Sequence, residues 1–207
     1  MVFSVMNKNV VSLLNDVTVF NRKLIQMKLG HNYKNILLKE TYPMYNIALF
    51  GAGRIGQVHA VNIADHKETN LYSVIDPYGD GAKQLSEKYG AKIQTTEEAL
   101  SDPNIDGVLI ASATDTHAEL IELSARAGKA IFCEKPVHLD LERVRACLDT
   151  VKACQIPLFV GFNRRYDPQF RKVREQLSAG CIGKAESLII TSRDPSPPPA
   201  KYVKVSG

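Results

Sequence analysis

The chain has 207 residues, of which 44% are hydrophobic and 23% are charged, and these proportions are typical of a soluble globular protein. The net charge of +4 does not indicate a nucleic-acid-binding face, because residues 1–43 hold six basic and two acidic residues and the remainder holds 20 of each. No apolar run approaches the roughly 18 residues that a membrane-spanning helix needs. We therefore expect neither a nucleic-acid partner nor a membrane segment.

The first 43 residues differ from the rest of the chain in pattern. Residues 1–43 contain short apolar patches without a clean period, and Met44 stands just before the first predicted strand. We interpret 1–43 as an N-terminal extension: either translated sequence upstream of a natural start at Met44, or an added helix that packs on the domain.

The four cysteines show no C-x-x-C pairing and no metal-ligand spacing. They predict no metal site and favour reduced thiols in a cytoplasmic protein.

A glycine-rich turn follows the first predicted strand, Ile47–Phe50. Gly51, Gly53 and Gly56 have the spacing G-x-G-x-x-G, and a helical period follows. The first glycine permits the turn, the second lets a pyrophosphate approach the backbone, and the third lets helix and strand pack closely. The amino end of the helix would then hold the phosphates. The motif predicts a dinucleotide site, although glycine-rich turns also occur for packing reasons alone.

An acidic residue ends the second predicted strand, Leu71–Ile75. Asp76 lies twenty positions after Gly56, where a carboxylate accepts hydrogen bonds from the adenosine ribose hydroxyls and repels the 2′-phosphate of NADP. Pro77 and Tyr78 follow, with no arginine to receive such a phosphate. The pattern favours NAD as cofactor. The alternative role for Asp76 is that of an ordinary turn acid before proline.

Strand-like and helix-like segments alternate as far as residue 162. This alternation predicts an α/β fold with a parallel, doubly wound sheet. Further strands are predicted at Ala91–Gln94, Val108–Ala111, Ala130–Cys133 and Pro157–Phe162. Further helices are predicted at Gly81–Tyr89, at Thr96–Leu100, from a cap at Thr116 to Ala127, and at Leu141–Val151.

A second, incomplete domain is predicted after this alternation. Pro168–Ala179 forms an amphipathic helix and Ser187–Thr191 a strand, and so few elements cannot close a sheet. Leu188, Ile189 and Ile190 would form an exposed apolar edge. The predicted division is therefore an extension at 1–43, a nucleotide-binding domain at 44–165 and the start of an α+β substrate and oligomerisation domain at 166–207.

The tripeptide Glu134-Lys135-Pro136 follows the fifth predicted strand. Together with the glycine turn and the acid, in that order, it makes the chain from Met44 to Gly207 resemble the glucose–fructose oxidoreductase / inositol dehydrogenase (Gfo/Idh/MocA) family. The resemblance implies an NAD-dependent oxidoreductase with a Rossmann-type sheet, followed by a substrate domain through which full-length members form homo-oligomers. It also implies a cis Lys135–Pro136 bond. Lys135 would lie beside the nicotinamide and bind the reacting hydroxyl, the alternative being a solvated loop lysine.

The remaining site residues also come from this resemblance. The segment after the fourth strand would line the cofactor, Arg164 would contact cofactor or substrate unless it forms a surface salt bridge, and His59 is expected to pack rather than to react. Residues 162–167 and 192–195 are most similar to the inositol 2-dehydrogenases, which implies a polyol substrate, most of all myo-inositol. The alternative interpretation of Pro195–Pro199 is a polyproline spacer, with no part in the substrate site. The implied cofactor set is Gly51, Gly53, Arg54, Ile55, Gly56, Asp76, Ser112, Thr114, His117, Glu134, Lys135 and Arg164, and the implied substrate set is Lys135, Arg193 and Asp194.

The base that takes the hydroxyl proton is not among the five histidines of this sequence. The family resemblance implies an Asp and a His on a helix beyond a Gly-Gly turn, whereas the sequence ends at Val205-Ser206-Gly207. We therefore interpret the chain as C-terminally truncated, and expect it to bind NAD weakly and not to turn over. Two hypotheses remain: a polyol dehydrogenase represented by an incomplete chain, or a non-catalytic nucleotide-binding fragment. A methyltransferase that binds S-adenosylmethionine would leave Glu134-Lys135-Pro136 without a purpose.

Overall fold

The computed structural model describes residues 44–193 and 196–197. The predicted extension at 1–43, Asp194, Pro195 and the chain from 198 onward lie outside the described residues. The described chain alternates strands and helices as far as the sixth strand, and a 3₁₀ turn and one more helix follow. In order, the elements are β1 (Tyr45–Phe50), α1 (Arg54–Asp65), β2 (Thr69–Ile75), α2 (Gly81–Tyr89), β3 (Lys92–Ile93), α3 (Thr96–Ser101), β4 (Gly107–Ile110), α4 (Thr114–Arg126), β5 (Ala130–Glu134), α5 (Leu141–Cys154), β6 (Leu158–Gly161), a 3₁₀ turn (Asn163–Arg165) and α6 (Pro168–Ser178).

The six strands form one parallel sheet in the order β3-β2-β1-β4-β5-β6. Successive side chains of a strand point to opposite faces, so each strand contributes to two cores. In β1, Ala48 and Phe50 pack with Ile121 of α4 and Cys147 of α5 on one face. Leu49 packs on the other face, against α1 and α2. The predicted doubly wound sheet is therefore confirmed, and its carboxyl edge collects the loops that follow the strands.

Polar side chains cap the amino ends of three helices. Thr95 and Glu98 form a reciprocal capping box at the start of α3, which satisfies two backbone donors. Asp140 and Asp167 cap α5 and α6 through their carboxylates. The predicted start of α4 was wrong: the helix begins at Thr114, and Thr116 lies inside its first turn and donates its hydroxyl to the Ala113 carbonyl.

The region beyond β6 does not form the predicted strand. Residues 187–191 have no regular structure, and the side chains of Leu188, Ile189 and Ile190 are 74%, 88% and 64% exposed. A strand needs a neighbour to accept its backbone hydrogen bonds, and among the described residues this segment pairs with none. The predicted exposure of this apolar triplet is thus found, but in irregular chain.

Two further expectations concern thiols and membranes. Cys133, Cys147, Cys154 and Cys181 are all free thiols, in agreement with the expectation of reduced cysteines. Within the described chain, no helix combines the length and the apolar character needed to cross a bilayer.

Candidate cofactor and substrate site

The glycine turn after β1 forms a cradle at the amino end of α1. Gly51 has φ +93°, and a Cβ there would lie 2.6 Å from the Ala111 carbonyl oxygen at the end of β4. A Cβ at Gly56 would lie 2.0 Å from the Gly51 carbonyl oxygen. Gly53 differs, because it is exposed and a Cβ there would meet nothing within 4 Å. Two glycines thus close the turn, while the third faces open space.

The open space at Gly53 suits an anion. No side chain caps α1, so the first backbone N–H groups of the helix, at Arg54 and Ile55, have neither a side-chain cap nor an intrahelical partner. Both residues are exposed. The positive end of the helix dipole adds to the attraction for negative charge. The turn therefore fits a pyrophosphate, as the glycine spacing predicts.

Asp76 is held in a fixed orientation beside this turn. Its Oδ2 accepts the backbone N–H of Ala52 at 2.6 Å, and its Oδ1 accepts the backbone N–H of Tyr78 at 2.8 Å. Each carboxylate oxygen accepts more than one hydrogen bond, so both can still receive ribose hydroxyls. Asp76 is thus more than a turn acid, because its contact with Ala52 joins the end of β2 to the glycine turn.

The segment after β4 contributes mostly buried side chains, which contact the backbone of the neighbouring loops. His117 is only 2% exposed, and its Nδ1 and Nε2 lie 2.7 Å and 3.1 Å from the carbonyl oxygens of Pro136 and Ser112. This differs from the expected direct contact with cofactor, because the ring is enclosed and each nitrogen faces a backbone carbonyl oxygen of the protein. Thr114 is also buried, whereas Ser112 is half-buried and its hydroxyl contacts that of Thr116 at 2.7 Å. His117 thereby links the segment after β4 to the loop after β5.

The loop after β5 presents Lys135. The Lys135–Pro136 peptide bond is cis, as the family resemblance implies. The Lys135 side chain is exposed, and none of the ion pairs found in the described part of the chain includes it. Cys133, in contrast, is fully buried, and burial with the nearby Glu134 charge raises the pKa of its thiol far above the usual range. Lys135, rather than the thiol, is available to a bound molecule.

His59 is the residue whose role the sequence pattern did not indicate. It was expected to pack, and its ring does contact Phe132 edge-on at 5.3 Å between centroids. Its Nε2 also lies 2.8 Å from the Glu134 Oε1. The histidine comes three residues after Gly56, but the contact joins positions 75 apart. No local signal relates such distant positions, so the pairing was not predictable from spacing.

The other predicted site residues lie beyond β6. The guanidinium of Arg164 lies over the Phe170 ring at 5.3 Å and forms a cation–π contact. None of the ion pairs found among the described residues includes Arg164. Arg193 is exposed in irregular chain, and Asp194 lies outside the described residues. The structure therefore brings together the loops after β1, β2, β4 and β5, and does not add Arg193 to them through any contact found among the described residues.

These features define a class of protein. A glycine cradle at a helix amino end and a carboxylate at the end of the second strand are the parts of a dinucleotide-binding domain, and the family resemblance adds the lysine on the loop after the fifth strand. Residues 45–162 match the model of an oxidoreductase family with an NAD-binding Rossmann fold, Gfo/Idh/MocA. The chain belongs to this family, and NAD is its cofactor.

Individual relatives agree with this assignment. An inositol 2-dehydrogenase of Rhizobium meliloti is 50% identical over 77% of this chain and 48% of its own length. A myo-inositol dehydrogenase structure from Corynebacterium glutamicum is 42% identical, with a TM-score of 0.72 over 79% of this chain and 50% of the other. A scyllo-inositol dehydrogenase from Lactobacillus casei, solved with NAD(H) and scyllo-inositol, is 27% identical, with a TM-score of 0.64 over 68% and 42%. The chain spans about half the length of the curated relatives it matches.

Proposed function

We propose that this chain carries the cofactor-binding part of an NAD-dependent dehydrogenase that oxidises a secondary hydroxyl of a polyol to a ketone. Myo-inositol is the proposed substrate, because relatives at 50% and 43% identity carry the names inositol and myo-inositol 2-dehydrogenase. The whole protein would be a cytoplasmic homo-oligomer. Arg193 and Asp194 are the proposed polyol contacts.

One observation carries the proposal. The glycine turn, the segment after β4 and the Lys135 loop follow neighbouring strands of the sheet, β1, β4 and β5. Gly51 lies against the end of β4, and His117 joins that segment to the loop. Ligands of open α/β sheets bind outside the carboxyl ends of the strands. An exposed ammonium group at this edge is therefore close to the place where the cofactor binds.

The residues of this chain would divide the work. Bound NAD supplies the acceptor for the hydride that leaves the carbinol carbon. The backbone at Gly53 and α1 binds the pyrophosphate, and Asp76 binds the adenosine ribose. Lys135 would donate a hydrogen bond to the reacting hydroxyl and favour the negative charge that develops on its oxygen as the proton passes to a base, for which the family resemblance implies an Asp and a His of the substrate domain.

Cofactor choice is tested by titration calorimetry of NAD and NADP into the 207-residue protein. We expect NAD to bind about tenfold or more tightly than NADP, because the Asp76 carboxylate accepts ribose hydroxyls and repels a phosphate. Asp76→Asn should weaken NAD binding about tenfold and reduce that preference. Asp80→Asn, an exposed acid with no capping bond, is the matched control and should change neither. Equal affinities for NAD and NADP would contradict the proposed role of Asp76.

Turnover is tested by following NADH absorbance with pure protein, NAD and myo-inositol. We expect none from the 207-residue chain, because no described residue after Gly161 is buried and this region therefore offers no enclosed polyol pocket. Formation of NADH would contradict this expectation and the hypothesis of a non-catalytic fragment together.

A further inference from the structure

The carboxylate of Glu134 bridges two parts of the site. Its Oε1 accepts a hydrogen bond from the His59 Nε2 at 2.8 Å, since a carboxylate only accepts. Its Oε2 accepts the backbone N–H of Lys135 at 3.3 Å. His59 belongs to α1, whose amino end forms the phosphate cradle. One side chain thus connects the cradle helix to the lysine loop.

The surroundings of this bridge keep the carboxylate in place. The His59 and Glu134 side chains are only 13% and 19% exposed, so water competes less for this contact than at an open surface. Phe132 supports the histidine ring and stacks on Phe159 at 5.4 Å. A Cβ at Gly161 would lie 3.4 Å from Glu134 Oε1 and 3.1 Å from the Phe132 ring. The glycine therefore leaves just enough room for the acid and the ring.

The contact between Glu134 and His59 also determines whether Glu134 can form an ion pair with Lys135. Glu134 is its neighbour in the chain and a carboxylate that could neutralise its ammonium. Instead, Glu134 is turned onto His59, and no carboxylate of the described chain forms an ion pair with Lys135. The ammonium therefore keeps its hydrogen-bond donors for a bound molecule.

We propose that His59 is a positioning residue of this site. By holding Glu134, it fixes the Lys135 loop to α1 and keeps the carboxylate away from the ammonium, so that Lys135 is free to donate to the substrate hydroxyl. This inference rests on the proposed function for the identity of the acceptor, but the geometry it describes exists without cofactor. The competing explanation is that His59 only fills space beside Phe132.

Two substitutions separate these explanations. His59→Phe keeps an aromatic ring beside Phe132 but removes the donor, whereas His59→Gln keeps an N–H donor near the position of Nε2. If His59 only fills space, the phenylalanine variant should behave like the wild type. If it holds Glu134, the glutamine variant should behave like the wild type and the phenylalanine variant should not.

The experiment measures acylation of Lys135 in the cofactor-free 207-residue protein, by limited labelling with acetic anhydride and peptide mass spectrometry. Lys152, an exposed lysine of α5, is the internal reference. In His59→Phe we expect Lys135 to react about two- to fivefold more slowly than in the wild type, since the released Glu134 pairs with the ammonium and holds its proton. The Lys152 rate should not change, and His59→Gln should restore the Lys135 rate to within twofold of the wild type.

The outcomes are decisive in both directions. A Lys135 rate in His59→Phe that equals or exceeds the wild-type rate would overturn the proposal, as would a glutamine variant that is slowed as much as the phenylalanine variant. Urea unfolding of each variant verifies that the protein compared is folded. If NAD fails to bind in the calorimetric titration, the proposed function is wrong while the labelling result still tests the role of His59.

Discussion

Residues 45–162 and residues 163–193 contain similar apolar side chains but cover them differently. In the first region, Phe50, Ile110 and Ile121 are 0–2% exposed because helices lie on both faces of a parallel sheet. In the second, Phe170, Val173 and Leu177 form the apolar stripe of α6 and remain 43%, 55% and 36% exposed. An amphipathic pattern is therefore enough to form a helix, but burial requires a second surface. The loops that carry Gly53, Asp76 and Lys135 all belong to the first region, in which helices cover both faces of the sheet.

The largest loss of stability is expected from adding a side chain in the glycine turn of the first region. Gly56→Ala places a Cβ 2.0 Å from a backbone carbonyl oxygen, which cannot move without shifting the turn. We expect a loss of about 4 kcal/mol in the free energy of unfolding, at the upper end of overpacking effects, measured by urea denaturation. Gly53→Ala is the control: the added Cβ meets no protein atom within 4 Å, so stability should change by less than about 1 kcal/mol while NAD affinity falls. Equal losses of stability in the two variants would contradict this account of the turn.

A cavity in the core should have the next largest effect. Ile121 is fully buried between α4 and the sheet, and Ile121→Ala should destabilise the protein by about 3 kcal/mol. Val173→Ala, in the exposed stripe of α6, should cost less than about 0.5 kcal/mol. Both are measured by thermal and urea unfolding. A large cost for Val173→Ala would mean that α6 is covered in solution, and the contrast between the regions would then be wrong.

An ion pair between α4 and α5 should make stability depend on pH. Arg143 binds both carboxylate oxygens of Glu122, whose side chain is 14% exposed. The hydrogen bonds from Arg143 hold the pKa of Glu122 below its ordinary value of 4.5. Since the folded pKa is the lower one, the stabilisation is complete above the unfolded value and is lost as the pH falls through the folded value. Glu122→Gln should cost about 1 kcal/mol near pH 7 and less near pH 3. A cost that does not vary between these pH values would contradict the ion-pair explanation.

The smallest effect on stability is expected in the irregular segment. Ile189 is 88% exposed, so Ile189→Ser should change the free energy of unfolding by less than about 0.5 kcal/mol. It should nevertheless reduce self-association, because Leu188, Ile189 and Ile190 form a contiguous exposed apolar triplet. Light scattering of concentrated protein measures this, with Lys184→Ser at an exposed position of the same segment as the control. Unchanged scattering in Ile189→Ser would show that the triplet does not mediate association.

The predictable part of the site consists of features that each depend on a few neighbouring residues. Gly51 and Asp76 directly follow predicted strands and Lys135 lies two positions after one, and the carboxyl ends of parallel strands share one edge of the sheet. Their common location therefore follows from the pattern. His117 was predicted to belong to the site, but not to lie enclosed behind it, because burial depends on how α4 packs against the β5 loop.

The sequence by itself determined the α/β class, the alternation of strands and helices in residues 45–162 and the position of Gly51, Asp76 and Lys135 on loops that follow strands, because periodicity and turn residues act over short distances. Only the tertiary structure decided that His59 meets Glu134, that His117 joins the carbonyls of Ser112 and Pro136, and that Ser187–Thr191 is not a strand. The physical reason is the same in each case. A hydrogen bond or a strand pairing needs a second partner, and which partner is near depends on the order of the strands and not on the local pattern.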